Sequence, residues 1–281
     1  METGDPLVTA DWLKQNISAP DIRIVDATWF APFMNPEKSG REAWAEAHIP
    51  GAVYFDIDAI KAGGTDLPHM LPDPIMFSSR VRKLGIGDGN RVVVYDNNNY
   101  CAAARVWWML RVMGHNDVKV LDGGLAAWNA EGGDLEDMPP VAVERHFTAR
   151  VRSDLVKDAA QVAAASGNRS HTIVDARAAG RFTGEAPEPR EGLPSGHIPG
   201  SFNAPSADLI NADGSLKSAS ELRALLPEKD APVITTCGSG VTAAILALGY
   251  ARLGNWDVAV YDGSWTEWAS DPSRPVATGA A

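Results

Sequence analysis

This 281-residue chain is short of the residues that build cross-links, metal sites and membrane spans. Its two cysteines, Cys101 and Cys237, form no CxxC pair, so we expect neither a disulfide framework nor a zinc site. The six histidines are scattered without paired spacing, and we expect no metal and no cofactor. No apolar run reaches the ~18 residues of a membrane span, and the polar amino terminus shows no signal peptide. These features predict a reducing, cytoplasmic location.

Positive charge is also scarce. The chain has 25 Lys and Arg against 36 Asp and Glu, which gives a net charge of −11. An acidic chain repels nucleic acid and anionic lipid, so we expect neither a nucleic acid nor a membrane as partner. An anionic small molecule would need a local group of cationic side chains. The 45% of hydrophobic residues and 22% of charged residues are typical of an ordinary globular protein.

Several landmarks occur twice along the chain. The His-Ile-Pro-Gly segment at 48–51 recurs at 197–200, and the Ile-Val-Asp-Ala segment at 24–27 recurs at 173–176, both after 149 residues. Later landmark pairs share an offset of 140 residues. Constant offsets over several landmarks indicate two copies of one fold.

Each copy alternates short β-rich runs with helical patterns, which is typical of parallel βα units. We expect strands at 22–27, 91–95, 118–121, 172–175, 232–236 and 258–261, and helices at 77–84, 102–113, 155–165, 221–226 and 241–253. Ser218 and Glu221 form a capping box before one of these helices. The predicted fold class is α/β, with two tandem domains at 1–135 and 153–281. Each has a mainly parallel sheet with helices on both faces, and 136–152 is expected to be a linker.

The strongest chemical signal lies at 237–242, where an apolar strand ends in Cys237. A short loop with Gly238 and Gly240 follows, and then an Ala- and Leu-rich helix. Glycines let such a loop turn its backbone N–H groups inward, and the helix amino terminus adds partial positive charge. Both features stabilise a thiolate or a bound anion. An inert, buried cysteine followed by an ordinary turn is the alternative.

Cys101 lacks these surroundings, because its segment, Asp96-Asn-Asn-Asn-Tyr-Cys-Ala, contains no glycine. We expect Cys101 to be structural, and Asp96 to occupy the position equivalent to Cys237.

The duplicated His-Ile-Pro-Gly segments, the loop at 237–242 and the Tyr-Asp-Gly-Ser-Trp-x-Glu-Trp segment at 261–268 resemble the two-domain rhodanese superfamily. Residues 68–72, 105–109 and 121–125 also look like this family, and the resemblance covers nearly the whole chain. The loop itself is similar to that of the 3-mercaptopyruvate sulfurtransferases.

The resemblance implies covalent catalysis without a cofactor. The Cys237 thiolate would take the sulfur of 3-mercaptopyruvate, release pyruvate, and pass the sulfur from a persulfide to a thiol or cyanide. Ser239 and His48 resemble the family's proton-handling residues. A carboxylate should orient His48, and Glu37 is a candidate although an Asp is expected there. His48 could instead serve only the turn in which it lies, since His197 occupies the same motif.

The substrate carboxylate would require cations. Arg181 and Arg190 lie in a Gly- and Pro-rich stretch and resemble the family's substrate-binding arginines. The resemblance also places four loop residues, Gly238, Gly240, Val241 and Thr242, at the substrate. Alternatively, both arginines are solvated at the surface and offset by Glu185, Glu188 and Glu191. Arg177, next to Asp175, is expected to form a structural ion pair.

The sequence leaves three other functions open. A thiosulfate sulfurtransferase would be favoured by basic residues in the loop, but Gly238, Ser239 and Gly240 are neutral. A cysteine phosphatase needs an arginine six residues after the cysteine, where this chain has Ala243. A persulfide carrier without turnover would need only the loop. The expected partners are a small-molecule sulfur donor and a thiol or cyanide acceptor, with thioredoxin among the candidates.

Overall fold

The chain forms two compact units. A computed structural model describes residues 4–32, 37, 39–227 and 231–280. The first unit comprises residues 1–63, 71–152 and 211–216, and the second comprises 64–70, 153–210 and 217–281. Each unit therefore includes a short segment from the opposite half of the sequence. The stretch 136–152, expected to be a linker, groups with the first unit, where Phe147 is buried 5.8 Å from the ring of Phe77.

The first unit contains a five-stranded parallel sheet among its described residues, in the order β1-β5-β4-β2-β3. Helices connect most of its strands. The elements are β1 Leu7–Val8, α1 Ala10–Asn16, β2 Ile22–Asp26, α2 Gly40–Glu46, β3 Val53–Tyr54, α3 Pro74–Lys83, β4 Arg91–Tyr95, α4 Ala103–Val112, β5 Val118–Leu121 and α5 Gly124–Ala130.

The second unit repeats this arrangement, with the order β6-β10-β9-β7-β8 and parallel pairing throughout its described residues. Its elements are β6 Val156–Lys157, α6 Ala159–Asn168, β7 Thr172–Asp175, α7 Ala179–Thr183, β8 Phe202–Asn203, α8 Ala219–Leu225, β9 Val233–Thr236, α9 Ala243–Arg252, β10 Ala259–Tyr261 and α10 Ser264–Ser270. Two short 3₁₀ helices, Ser153–Leu155 and Ser206–Leu209, precede β6 and follow β8. The predicted α/β fold with two similar domains is confirmed.

The central strands are apolar because both faces of a parallel sheet are covered. All four residues of β9 are buried, as are four of the five in β4. Helix starts follow local capping. The capping box of Ser218 and Glu221 is confirmed. The helix expected at 155–165 begins later, at Ala159, because Asp158 and Gln161 form a capping box there. Within the described ranges, no helix is long and apolar enough to cross a bilayer.

Asp96 and Cys237 occupy equivalent positions in the two units. Each follows the middle strand of its sheet, β4 or β9. The carbonyl of Asp96 accepts a hydrogen bond from the N–H of Leu125 at 3.1 Å, and the carbonyl of Cys237 accepts one from Trp265 at 2.9 Å. Leu125 and Trp265 are 140 residues apart, which is the offset of the later sequence repeats. The carbonyl groups of Asp96 and Cys237 thus have corresponding partners in the two units.

The Asp96 carboxylate fills the loop that follows it. Its two oxygens accept four backbone N–H groups, from Asn98 and Tyr100 at 3.1 Å, from Ala102 at 3.0 Å and from Ala103 at 2.8 Å. Burial raises the pKa of Asp96, and these donors oppose that effect. In this unit the loop at the end of the middle strand therefore holds an anion that belongs to the chain itself.

Candidate active site

Cys237 lies where β9 meets the loop before α9. Its residue is 2% exposed, and Ser239, in the middle of the loop, is 7% exposed. Gly240 has φ of +77°, a backbone conformation that a side chain disfavours, so a glycine is required for this turn. The loop is short, since α9 begins at Ala243. The sequence-predicted strand, loop and helix are therefore found in the predicted order.

The segment at the start of α10 fixes the backbone of this loop. The Cys237 N–H donates to Ser264 Oγ at 3.2 Å, and Ser264 Oγ donates to the Tyr261 carbonyl at 2.8 Å. The Gly238 carbonyl accepts two hydrogen bonds from Thr266, from its N–H at 2.9 Å and from its Oγ1 at 2.7 Å. These bonds hold the first two loop residues in one backbone conformation.

Sequence reasoning missed Ser264 and Thr266. Ser264 is fully buried and has φ of +51°, in the left-handed region that favours glycine. The equivalent residue of the first unit is Gly124, with φ of +55°. The 140-residue repeat pairs these two positions, and that comparison could have identified Ser264. A serine that keeps this backbone conformation points to a role for its hydroxyl group.

Both predicted arginines lie beside the loop. A Cβ atom built on Gly238 would lie 3.2 Å from Arg181 Nη2 and 3.7 Å from Arg190 Nη1. Burial lowers the pKa of the Arg190 guanidinium, the Cys237 charge raises it, and the charge of Arg181 lowers it. Arginine stays protonated at any physiological pH. The neutral loop is therefore bordered by two guanidinium groups.

Two carboxylates, those of Glu188 and Asp175, pair with Arg181 and with Arg177. Glu188 has a 2% exposed side chain, and it pairs with Arg181 at 2.5 Å and with Arg177 at 2.7 Å. Arg177 also binds Asp175 at 2.6 Å, and its guanidinium lies 4.2 Å from the centre of the Trp265 ring. The predicted ion pair of Arg177 and Asp175 is confirmed. Glu188, which the sequence suggests only as an offsetting charge, is the centre of the network.

His48 is placed by the first unit in a buried turn. Its side chain is fully buried and its ring stacks on that of Trp44 with centroids 4.7 Å apart. The carbonyl of Trp44 lies 2.7 Å from Nδ1, and since a carbonyl only accepts, Nδ1 carries the proton. The carboxylate of Glu136 lies 3.5 Å from Nε2. Glu37, the carboxylate suggested from the sequence, lies in an exposed position.

His197 has the same environment in the second unit. Its Nδ1 lies 2.9 Å from the carbonyl of Phe182, and its ring stacks on Phe182 at 3.9 Å. Each of the two histidines also forms an antiparallel bridge with a distant residue, His48 with Glu136 and His197 with Ala277. Both histidines therefore hold their turns in place, and a proton-transfer role for His48 stays a prediction.

Among the described residues, no group of three or more His, Cys, Asp or Glu side chains is placed to hold a metal ion. Cys101 is a partly exposed residue of the first unit.

Comparison with known proteins agrees with this geometry. A model of the rhodanese-like domain matches residues 9–131 and 158–271. The chain is 41% identical over 273 residues to 3-mercaptopyruvate sulfurtransferase of Escherichia coli K12, covering 96% of each chain. It is 40% identical over 301 residues to the mitochondrial thiosulfate/3-mercaptopyruvate sulfurtransferase 1 of Arabidopsis thaliana, covering 98% of this chain and 79% of that protein.

A solved structure shows the same fold. The crystal structure of SseA from Escherichia coli, described as a 3-mercaptopyruvate sulfotransferase with the rhodanese fold, matches with a TM-score of 0.85 and 39% identity. The match covers 93% of this chain and 99% of that one. With two matched domains and a relative of this identity and coverage, the chain belongs to the rhodanese family of proteins with tandem rhodanese-like domains.

Proposed function

We propose that this protein is a sulfurtransferase that moves the sulfur of 3-mercaptopyruvate to a thiol or to cyanide through a persulfide on Cys237. The observation that carries the proposal is the pair of guanidinium groups beside the neutral residue Gly238. Two arginines next to a nucleophilic cysteine suit a donor that bears a carboxylate near its sulfur. The names of the similar proteins from Escherichia coli and Arabidopsis support the same reaction.

The first half-reaction transfers sulfur to the enzyme. The Cys237 thiolate attacks the thiol sulfur of the donor, and the S–C bond breaks with its electron pair moving to carbon. The products are a Cys237 persulfide and the enolate of pyruvate. The proton that the donor thiol carried ends on the methyl carbon of pyruvate, so atoms and charge balance. We assign this proton transfer to Ser239 and His48 and the binding of the carboxylate to Arg181 and Arg190.

The second half-reaction restores the thiolate. A thiol acceptor, as its thiolate, or cyanide attacks the outer sulfur, the S–S bond breaks, and its electron pair returns to Cys237. The acceptor leaves as a persulfide or as thiocyanate. We propose backbone contacts to the transferred sulfur from Gly238, Gly240, Val241 and Thr242. A loop of the same fold already uses backbone N–H groups in this way around Asp96.

Small acceptors are favoured because Cys237 is only 2% exposed. Thioredoxin is the protein acceptor that we propose, and turnover in the presence of reduced thioredoxin would test it. The scarcity of cysteine supports a cytoplasmic location, although the similar Arabidopsis protein is named as mitochondrial.

Mass spectrometry of the enzyme tests the nucleophile directly. Incubation with 3-mercaptopyruvate and no acceptor should add one sulfur atom to Cys237 and release one pyruvate. Cys237→Ser should abolish both, while the matched variant Cys101→Ser should keep both. Sulfur on Cys101, or no pyruvate from the unaltered protein, would contradict the proposal.

Thiosulfate is the second candidate donor, since the similar Arabidopsis protein carries both names. Thiosulfate is a dianion without a carboxylate, and the loop residues next to Cys237 supply no cation. We therefore expect slower turnover with thiosulfate than with 3-mercaptopyruvate. The buried ion-pair network beside the loop would serve no purpose in a carrier that only accepts persulfide from a partner.

A further inference from the structure

The charged side chains beside Cys237 balance to a small net charge. Three arginines, Arg177, Arg181 and Arg190, are grouped with the two carboxylates of Asp175 and Glu188. Together these five side chains carry one net positive charge. When Cys237 is a thiolate, the group as a whole is neutral.

Asp175 and Glu188 have different parts in this group. Asp175 pairs with Arg177, whose other contacts are Glu188, the Gly196 carbonyl and the Trp265 ring, so this pair supports the fold. Glu188 alone contacts the guanidinium of Arg181, through Nε at 3.1 Å and Nη2 at 2.5 Å. That same Nη2 is the atom that borders Gly238. The Glu188 charge therefore acts where a donor would lie.

Burial makes this charge effective. The Glu188 side chain is 2% exposed, whereas Arg181 keeps 25% of its side chain exposed and is open to an anion. A charge without a water shell is screened less than one at the surface. The same carboxylate also acts on Arg190, whose pKa is lowered mainly by burial while the Glu188 charge opposes that lowering.

We propose that Glu188 is a specificity-determining residue, which cancels one arginine charge beside Gly238 and so favours a singly charged donor over a doubly charged one. This inference rests on the proposed function. At neutral pH 3-mercaptopyruvate carries one negative charge and thiosulfate carries two. Removing the Glu188 charge adds attraction for both anions, and the dianion gains twice as much.

The test is the donor preference of Glu188→Gln, which keeps the size of the side chain and removes its charge. The ratio of kcat/KM for thiosulfate to kcat/KM for 3-mercaptopyruvate should rise by about tenfold or more, because at an effective dielectric of ~20 a unit charge has at least that effect on one extra charge at any separation below ~12 Å. A role in positioning Arg181 alone would raise the ratio only by lowering kcat/KM for 3-mercaptopyruvate, whereas loss of the charge should raise kcat/KM for thiosulfate itself. A rise in kcat/KM for thiosulfate is therefore the informative readout.

Two variants serve as controls. Glu191→Gln changes the net charge of the protein equally but lies at an exposed position of the same segment, and its ratio should stay as in the unaltered protein. Glu188→Asp keeps the charge and shortens the side chain. Its ratio of kcat/KM for the two donors should change by less than about twofold, because the negative charge is retained. A tenfold rise in Glu191→Gln, or no rise in Glu188→Gln, would overturn the proposal.

If Glu188→Gln does not fold, inhibition of the unaltered enzyme by small anions tests the proposal instead. Pyruvate and sulfate should both compete with the donor, and the monoanion pyruvate should inhibit at the lower concentration. Tighter inhibition by sulfate would refute the charge argument. Failure of the unaltered enzyme to release pyruvate from 3-mercaptopyruvate would refute the proposed function instead, so the two failures are distinguishable.

Discussion

Ser264 provides the sharpest test of how the Cys237 loop is held. Its hydroxyl accepts the N–H of Cys237 and donates to the carbonyl of Tyr261, and all three residues are buried. In Ser264→Ala both backbone groups lose their partner. A buried donor left unsatisfied costs about 1–3 kcal/mol, and the lost acceptor bond adds about 1 kcal/mol. We expect a loss of about 2–4 kcal/mol in the free energy of unfolding.

A second substitution separates the hydroxyl from the backbone. Ser264 has φ of +51°, and a side chain in this left-handed conformation costs about 1 kcal/mol. Ser264→Gly loses the same hydrogen bonds but relieves this strain, so it should be about 1 kcal/mol more stable than Ser264→Ala. Ser270→Ala, at an exposed position of the same helix, is the matched control and should be close to neutral.

Urea unfolding measures these differences through the transition midpoint at a constant slope. Turnover should fall in both Ser264 variants, since the cysteine backbone is no longer fixed. If Ser264→Ala unfolds within about 0.5 kcal/mol of the unaltered protein and keeps its turnover, the loop is not held by this hydroxyl.

Three further predictions concern other residues of the site and the Asp96 loop of the first unit. Arg181→Ala and Arg190→Ala should each raise KM for 3-mercaptopyruvate by about 10- to 150-fold, because each loses one charge-assisted hydrogen bond to the donor. An equal rise in KM for thiosulfate would contradict the proposal that these arginines bind the carboxylate. His48→Asn, which retains a donor for the Trp44 carbonyl, should slow 3-mercaptopyruvate turnover by about 10²-fold, whereas His197→Asn should not. An equal loss of turnover in the two variants would show that His48 has only a structural role. Asp96→Ala should cost about 3 kcal/mol or more in a denaturant titration, because four N–H groups, three of them buried, lose their acceptor. A neutral result would contradict the anion-filled loop.

The sequence predicts the long strands well and the short ones poorly. The strand at 91–95 has the predicted bounds because four consecutive buried residues make a continuous apolar run. Strands such as Val53–Tyr54 and Phe202–Asn203 have two residues each and carry no periodicity. The grouping of 64–70 with the second unit and of 211–216 with the first depends on tertiary contacts, which no local pattern encodes.

In the site too, residues that are contiguous in the sequence were predictable, and residues from distant segments were not. Cys237 and its glycines were predictable, because strand, loop and helix are contiguous in the sequence. Glu188 and Thr266 reach the loop from other segments, and neither residue type has a pattern that reports a buried contact. His48 was identified from its motif, but its burial against Trp44 became visible only in the structure.

The loop that follows β4 in the first unit is filled by the Asp96 carboxylate, and this has a consequence for ligand binding. The Asp96 carboxylate is covalently tethered to the loop that binds it, so it competes with any free anion at a very high effective concentration. A donor present at millimolar concentration cannot displace it. Titration of the protein with donor should therefore saturate at one equivalent per chain, although the chain carries two copies of the fold.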